Sequence, residues 1–215
     1  MWIVHGTHGE AFGEHGHDGH GTELFDEVVR VPLFIHYPET FPAGQRVAHN
    51  VSTRRIFHTI LDTAGVHHEG FGFSSNNLSL ARSVSGAEAE DETVIAEAYP
   101  PMNFINVMEA NNPSAIEKFR VNKLRRAIYD GPRKLMTIVD EPIEFFNTTT
   151  DPLEAHNLLD GTPAHAASIL KLEQALAATV TTLEAHRLGI SAGAQQDYSD
   201  NPELIERLRG LGYIE

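Results

Sequence analysis

Strand-like and helix-like segments alternate along residues 1–100, and that alternation narrows the fold more than any other property of the chain. Val28–Tyr37 (VVRVPLFIHY) is rich in β-branched and aromatic side chains and is bracketed by Pro38 and Pro42, which predicts a central or near-central strand. Ser52 stands as an N-cap ahead of TRRIFHTILDTAG, Gly65 as a C-cap behind it, and Ile56, Ile60 and Ala64 share one face. That spacing predicts a helix over 53–64. Thr93–Ala98 is again β-rich, and strand, helix, strand in this order specify an α/β sheet. At the front, Trp2-Ile3-Val4 closed by Gly6 predicts a short buried strand that delivers residues 5–20 to its carboxyl end, and a short helical stretch follows at Thr22–Glu27.

Beyond residue 100 the pattern changes. Gly70–Ala89 is small and polar and reads as a surface excursion; Pro100–Pro113, broken by prolines, reads as irregular, with a short helix over Ser114–Val121. From Leu124, two β-rich runs flank Asp130-Gly131-Pro132 and a third follows Asp140-Glu141-Pro142, the pattern of an antiparallel meander. Thr162-Pro163 supplies an N-cap and N1 proline for a helix to Arg187, with Ile169, Leu172, Leu176, Val180 and Leu183 as its apolar stripe. Gly189–Ser199 reads as a linker, and Asn201-Pro202 opens a last short helix ending at Gly210-Leu211-Gly212-Tyr213.

Composition then restricts partners. Of 215 residues, 16 are Lys or Arg and 30 are Asp or Glu, a formal charge of −14 whose field repels phosphate backbones and anionic headgroups, so neither nucleic acid nor a membrane is an expected partner. Cysteine is absent, which removes disulfides, thiolate metal sites and cysteine nucleophiles. No apolar run reaches the roughly 20 residues of a membrane span and no basic leader precedes Trp2, so a cytoplasmic location is the default expectation.

Chemistry concentrates in one place. The segment GTHGEAFGEHGHDGHG holds five of the 13 histidines (His5, His8, His15, His17 and His20) with Glu10 and Glu14 among them. Imidazoles and carboxylates are what divalent cations bind, and open α/β sheets present ligands at strand carboxyl ends. His8 is the leading metal-ligand candidate. His20, just ahead of an apolar strand, suits a general acid or an anion contact. His15 and His17 read more readily as polar surface, Glu10 and Glu14 as ligands, as carboxylate partners to histidine or, taken alone, as solvated charges, His36 as a hydrogen-bonded core histidine, and Arg54 and Arg55 as solvated. Asp151 and Asn157 read as turn caps.

These pieces, in order, resemble a known family. THGEAFGEHG, then HG, then ELFDEVVRVPLFIHYP is similar to the sulfatase branch of the alkaline phosphatase superfamily, which carries an Asp-His-Gly-Glu turn, a Gly-Glu-His-Gly, an aromatic-Asp-Glu and an Arg-Val-Pro strand. VSTRRIFHTILDTAGV resembles the family's next helix, FFNTTTDPLEAHNLL its Asp-Pro-x-Glu-x-x-Asn-Leu turn, and ELIERLRGLGYIE its closing helix. The resemblance implies part of an alkaline phosphatase-like three-layer α/β sheet over residues 1–100, followed by a small antiparallel β-meander with C-terminal helices. The expected domains are 1–122, the C-terminal part of the sulfatase core; 123–160, the meander; and 161–215, the helices.

The resemblance further implies a hydrolase of sulfate or phosphate monoesters acting by metal-assisted in-line displacement. A divalent ion (calcium, manganese or zinc) would be held by His8 and Thr7, with His20 catalytic near the leaving oxygen. Two departures matter. Thr7 stands where the family has an aspartate, so a neutral hydroxyl replaces a charge at the metal. The family's nucleophile, in a Cys/Ser-x-Pro-x-Arg motif, has no counterpart in this sequence. The chain is therefore expected to resemble only the C-terminal portion of a sulfatase, inactive alone and completed by a missing N-terminal segment in cis or in trans. Two alternatives stand beside it: a degenerate, non-catalytic metal-binding or interaction module, and a phosphoesterase or phosphonate monoester hydrolase of the same superfamily.

Overall fold

The computed structural model describes residues 1–66, 78–85, 93–189 and 202–210. It divides into two units, Met1–Val180 and Thr181–Glu215. The predicted linker and the closing Gly-Leu-Gly-Tyr turn lie almost wholly outside the described residues, as do both flanks of the predicted surface excursion.

The strongest element is a four-stranded antiparallel sheet in the order β5 (Thr93–Ala98), β6 (Arg125–Asp130), β7 (Arg133–Ile138), β8 (Glu141–Asn147). The last three strands are the predicted meander, turned at Gly131, whose φ of +56° is readily adopted only without a Cβ. Both faces of the sheet are covered. Leu24 and Phe25 pack with Ala127, Tyr129, Met136 and Phe146 on one side. On the other, Ile128, Leu135 and Phe145 meet Leu172 and Leu176 of helix α6 (Pro163–Gly189), the stripe the sequence predicts. In the second unit, helix α7 (Pro202–Gly210) half-buries Leu204 and Ile205.

The front of the chain pairs differently from the sequence expectation. β1 (Trp2–His5) lies antiparallel to β4 (Leu33–His36) in a two-stranded sheet, with Val4 opposite Phe34 and Trp2 opposite His36. β4 is shorter than the predicted Val28–Tyr37, because Asp26–Val29 coils into a helical turn, α1, that seats Val28 in the core before Pro32 ends it. β1 is not buried: Trp2 is 75% exposed and Val4 60%. His36 is exposed at the strand end rather than in a core. Thr93–Ala98 joins the meander's sheet, so the α/β character lies in mixed helices and antiparallel sheets.

Helix α2 (Arg55–Thr63) starts two residues late and turns a different face inward. Arg55 and Thr59 are buried and Ile60 is exposed, because the Arg55 guanidinium donates to the carbonyls of Leu78 and Ser79 while Thr59 Oγ1 accepts the Leu80 amide. A buried arginine at a predicted solvated position reflects that carbonyl pair, which no sequence periodicity announces. A five-residue helix, α3 (Ala81–Ser85), follows these carbonyls. Helix α4 (Met102–Asn111) replaces the expected irregular stretch, and α5 (Pro113–Phe119) is the short helix predicted over Ser114–Val121. Their prolines sit at the boundaries, where a missing N–H is harmless.

Candidate functional site

The histidine segment is built on two glycines and a hairpin. Gly6 donates to the Pro32 carbonyl at 3.2 Å and Gly9 to the Val28 carbonyl at 2.7 Å, which ties the turn after β1 to α1 and to the entry of β4. At Gly9 a Cβ would stand 2.0 Å from the Glu27 carbonyl oxygen, so the chain approaches α1 as closely as only glycine allows. β2 (Ala11–Phe12) and β3 (Asp18–Gly19) then form a hairpin with Ala11 opposite Gly19, which sets Glu10 and His20 at its two feet.

Three side chains meet there. His20 Nδ1 lies 3.2 Å from both carboxylate oxygens of Glu10, and the His8 ring stacks on the His20 ring at 3.7 Å between centroids, 21° from parallel. One donor atom from each of His8, Glu10 and His20 lies within 4.8 Å of the others, the one such cluster among the described residues. Two imidazoles and a carboxylate are a donor set that fits a borderline divalent cation. His8 Nδ1 faces the Gly9 carbonyl at 2.8 Å, which leaves Nε2 for a ligand's role. Thr7 lies on the wall of the same groove as His8 and His20. The groove encloses about 1170 Å³, and Thr7, His8, His20, Asp26 and Tyr129 are among its lining residues.

Of the roles the sequence leaves open for Glu10, the hairpin register supports a partner to histidine, with its carboxylate against His20. A reading of 10 and 20 as cross-strand partners around Gly13 and Gly16, both at positive φ, would have found it.

Behind the groove lies a buried charged network. Lys134 Nζ, fully buried, sits 2.7 Å from Glu154 Oε1 and 3.1 Å from Asp26 Oδ1, and the Asp26 carboxylate also accepts from Tyr129 at 2.8 Å. Burial pushes the Glu154 carboxyl up against the pull of Lys134, and burial with the Asp26 charge lifts the Tyr129 phenol well above its usual value. Glu154 sits at φ +51°, a left-handed conformation on the order of 1–3 kcal/mol uphill for such a residue, held by Lys134 and by the Asp26 amide that donates to Oε2 at 2.7 Å. Nearby, Glu23 pairs with Arg125 at 3.1 Å, and burial still outweighs that guanidinium, pushing the Glu23 carboxyl up to about 7. Asp151 and Asn157 do cap their turns, through the amides of Ala155 and His156 and of Phe145 and Leu159.

The sulfatase family matches residues 3–66, the segment that holds β1, the histidine hairpin, β4 and α2. Over this segment the chain is similar to the sulfatase family. Similar solved structures include a sulfatase described as putative from Bacteroides thetaiotaomicron, 16% identical with a TM-score of 0.67, covering 90% of this chain and 38% of that one. A protein solved in complex with its substrate D-glucosamine-2-N,6-O-disulfate is 21% identical (TM-score 0.63), covering 85% of this chain and 34% of that one. The phosphonate monoester hydrolase of Agrobacterium radiobacter is 24% identical (TM-score 0.61), covering 86% and 35%. The chain shares its fold with these structures and spans a little over a third of their lengths. No curated protein sequence matches it. No described helix is long and apolar enough to cross a membrane.

Proposed function

We propose that the chain supplies the metal-contacting and leaving-group side of a sulfatase-type hydrolase of small sulfate or phosphate monoesters, residues 1–122 being the C-terminal part of that core. The observation that carries this reading is the stacked His8–His20 pair with Glu10 behind it, on the wall of an open groove. A divalent ion bound by His8, beside the Thr7 hydroxyl, would neutralise charge on the ester's non-bridging oxygens. Glu10 fixes the ring of His20 through Nδ1 and stabilises its imidazolium, which leaves Nε2–H to donate to the departing alcohol oxygen. On giving up that proton His20 returns to a neutral ring whose Nδ1–H still faces Glu10. The nucleophile has no candidate motif in this sequence and is assigned to a segment outside it. A relative solved with a disulfated glucosamine supports a sulfate ester, and the phosphonate hydrolase likeness keeps phosphorus esters in the class.

Thr7 favours a second reading, a metal-binding module without turnover, because a hydroxyl brings no charge to the cation. The test is metal binding by calorimetry with Ca²⁺, Mn²⁺ and Zn²⁺, together with turnover of aryl sulfate and phosphate. Both readings expect His8→Ala to weaken binding about tenfold or more, and unchanged affinity overturns the ligand role. Turnover restored by adding the N-terminal segment of a sulfatase supports the hydrolase, whereas metal-dependent turnover by the chain alone overturns the assignment of the nucleophile elsewhere.

A further inference from the structure

The tip of the histidine hairpin is fastened by a side chain that the proposed chemistry does not use. His15 stacks face to face on Phe25, 3.7 Å between centroids and 2° from parallel. Its Nδ1 is 2.7 Å from the Glu27 carboxylate and its Nε2 is 3.1 Å from the Glu154 carbonyl oxygen. Both partners can only accept, whereas a neutral imidazole owns one N–H, so two bonds require the doubly protonated ring. The side chain is 18% exposed and its backbone is left-handed, φ +53°, a conformation that surrounding contacts must hold.

We propose that His15, as an imidazolium, is a pH-sensitive positioning residue. It clamps the hairpin tip to α1 and to the Asp151–Glu154 turn, and the hairpin register carries that constraint to Glu10 and His20 at its feet. When His15 gives its proton to water, one of the two bonds is lost and the tip is released. The inference rests on the reading above only for what His20 does; the clamp stands on its own contacts.

The groups that face His15 favour its charge. Glu27 and Glu154 are in contact through a carboxylate and a carbonyl, the carboxylates of Glu14, Glu23 and Glu144 add negative field, and His17 is the neighbour of opposite effect. Burial works against the cation, but the Glu27 and Glu154 bonds and charges outweigh it, and the pKa stands above the usual histidine value. The clamp is therefore complete below the usual value and is lost as pH rises through the folded-state pKa.

The test is ¹⁵N imidazole NMR of the full chain without added metal. Below the usual histidine value, at about pH 5.5, both His15 nitrogens should carry protons, Glu27→Gln should lower the titration midpoint, and the amides of residues 11–19 with the His20 ring should shift along His15's titration. His15→Gln should speed exchange of the Gly13 amide, which donates to the His17 carbonyl, by about tenfold. A single neutral tautomer at about pH 5.5, or a hairpin and His20 ring unmoved as His15 deprotonates, overturns the clamp. These readouts need neither metal nor turnover, so the clamp can fail while the hydrolase reading stands, and the reverse.

Discussion

The two sheets of the first unit are built to different standards. β5–β8 is sealed on both faces, with Ile128 and Leu135 fully buried under α6 and Lys134 fully buried under α1. β1–β4 has two strands, half-buries Ile3 and Ile35 on one face and leaves Trp2, Val4 and Phe34 to solvent on the other. Two strands alone are marginal in water, whereas a covered sheet of four carries a core. The histidine segment thus rises from the thinner sheet and is anchored on the thicker one through Glu23, Asp26 and Glu154. Rigidity at the site is borrowed from the meander.

The sharpest way to break that contrast is to remove the buried cation. Lys134→Met leaves Asp26 and Glu154 without their partner and should lower unfolding stability by about 3–5 kcal/mol, measured by urea titration. Because Asp26 and Glu154 join α1 to the Asp151–Glu154 turn, the loss should also loosen the histidine hairpin. A loss under about 1 kcal/mol would show that the network is dispensable and that the meander does not anchor the site. Next in size, Leu135→Ala should cost about 2–5 kcal/mol through the cavity it opens beneath Leu172 and Leu176.

The sequence announced the thick sheet more clearly than the thin one, for a physical reason. β6–β8 and α6 are set by local turn chemistry and by apolar stripes whose partners lie nearby in the chain, and Asp130-Gly131 and Leu172 with Leu176 are visible without a fold. What β1 and β4 pair with, and which face of α2 turns inward, depends on distant partners such as the carbonyls of Leu78 and Ser79 for Arg55. At the site, His8 and His20 were legible as residue types in a glycine-punctuated loop. Which histidine Glu10 faces, and what fastens His15, were not, since one depends on hairpin register and the other on a stack against Phe25 and on two acceptors from distant segments.

A pH scan sharpens the contrast further. Glu23 titrates near 7 in the folded chain and near 4.5 when exposed, so the folded form holds its proton more tightly. Its contribution is complete below about pH 4.5 and is lost as pH rises through about 7, on the order of 1–3 kcal/mol at roughly 1.4 kcal/mol per pKa unit. The Glu144 and Glu154 carboxyls, also raised, act in the same direction, and His17, lowered by burial and by Arg125, acts against it. Urea midpoints measured from pH 5 to pH 8 should fall, and Glu23→Gln should flatten part of that fall. A rising curve would mean that Arg125 dominates Glu23 after all.

The smallest effect is expected on the open face. Phe34→Thr keeps a β-branched residue on the strand, so it tests lost apolar contact rather than lost strand propensity. With Phe34 68% exposed, the change should move stability by no more than about 0.5 kcal/mol. Trp2→Thr should behave alike, and each should reduce self-association in sedimentation runs, since the Trp2, Val4 and Phe34 side chains form one contiguous apolar strip. If Phe34→Thr instead costs about 2 kcal/mol or more, that face is packed in solution and the thin sheet is not thin. The site's dependence on Lys134 should then weaken in proportion, because a covered β1–β4 sheet would hold Gly6 and Gly9 in place without help from the meander.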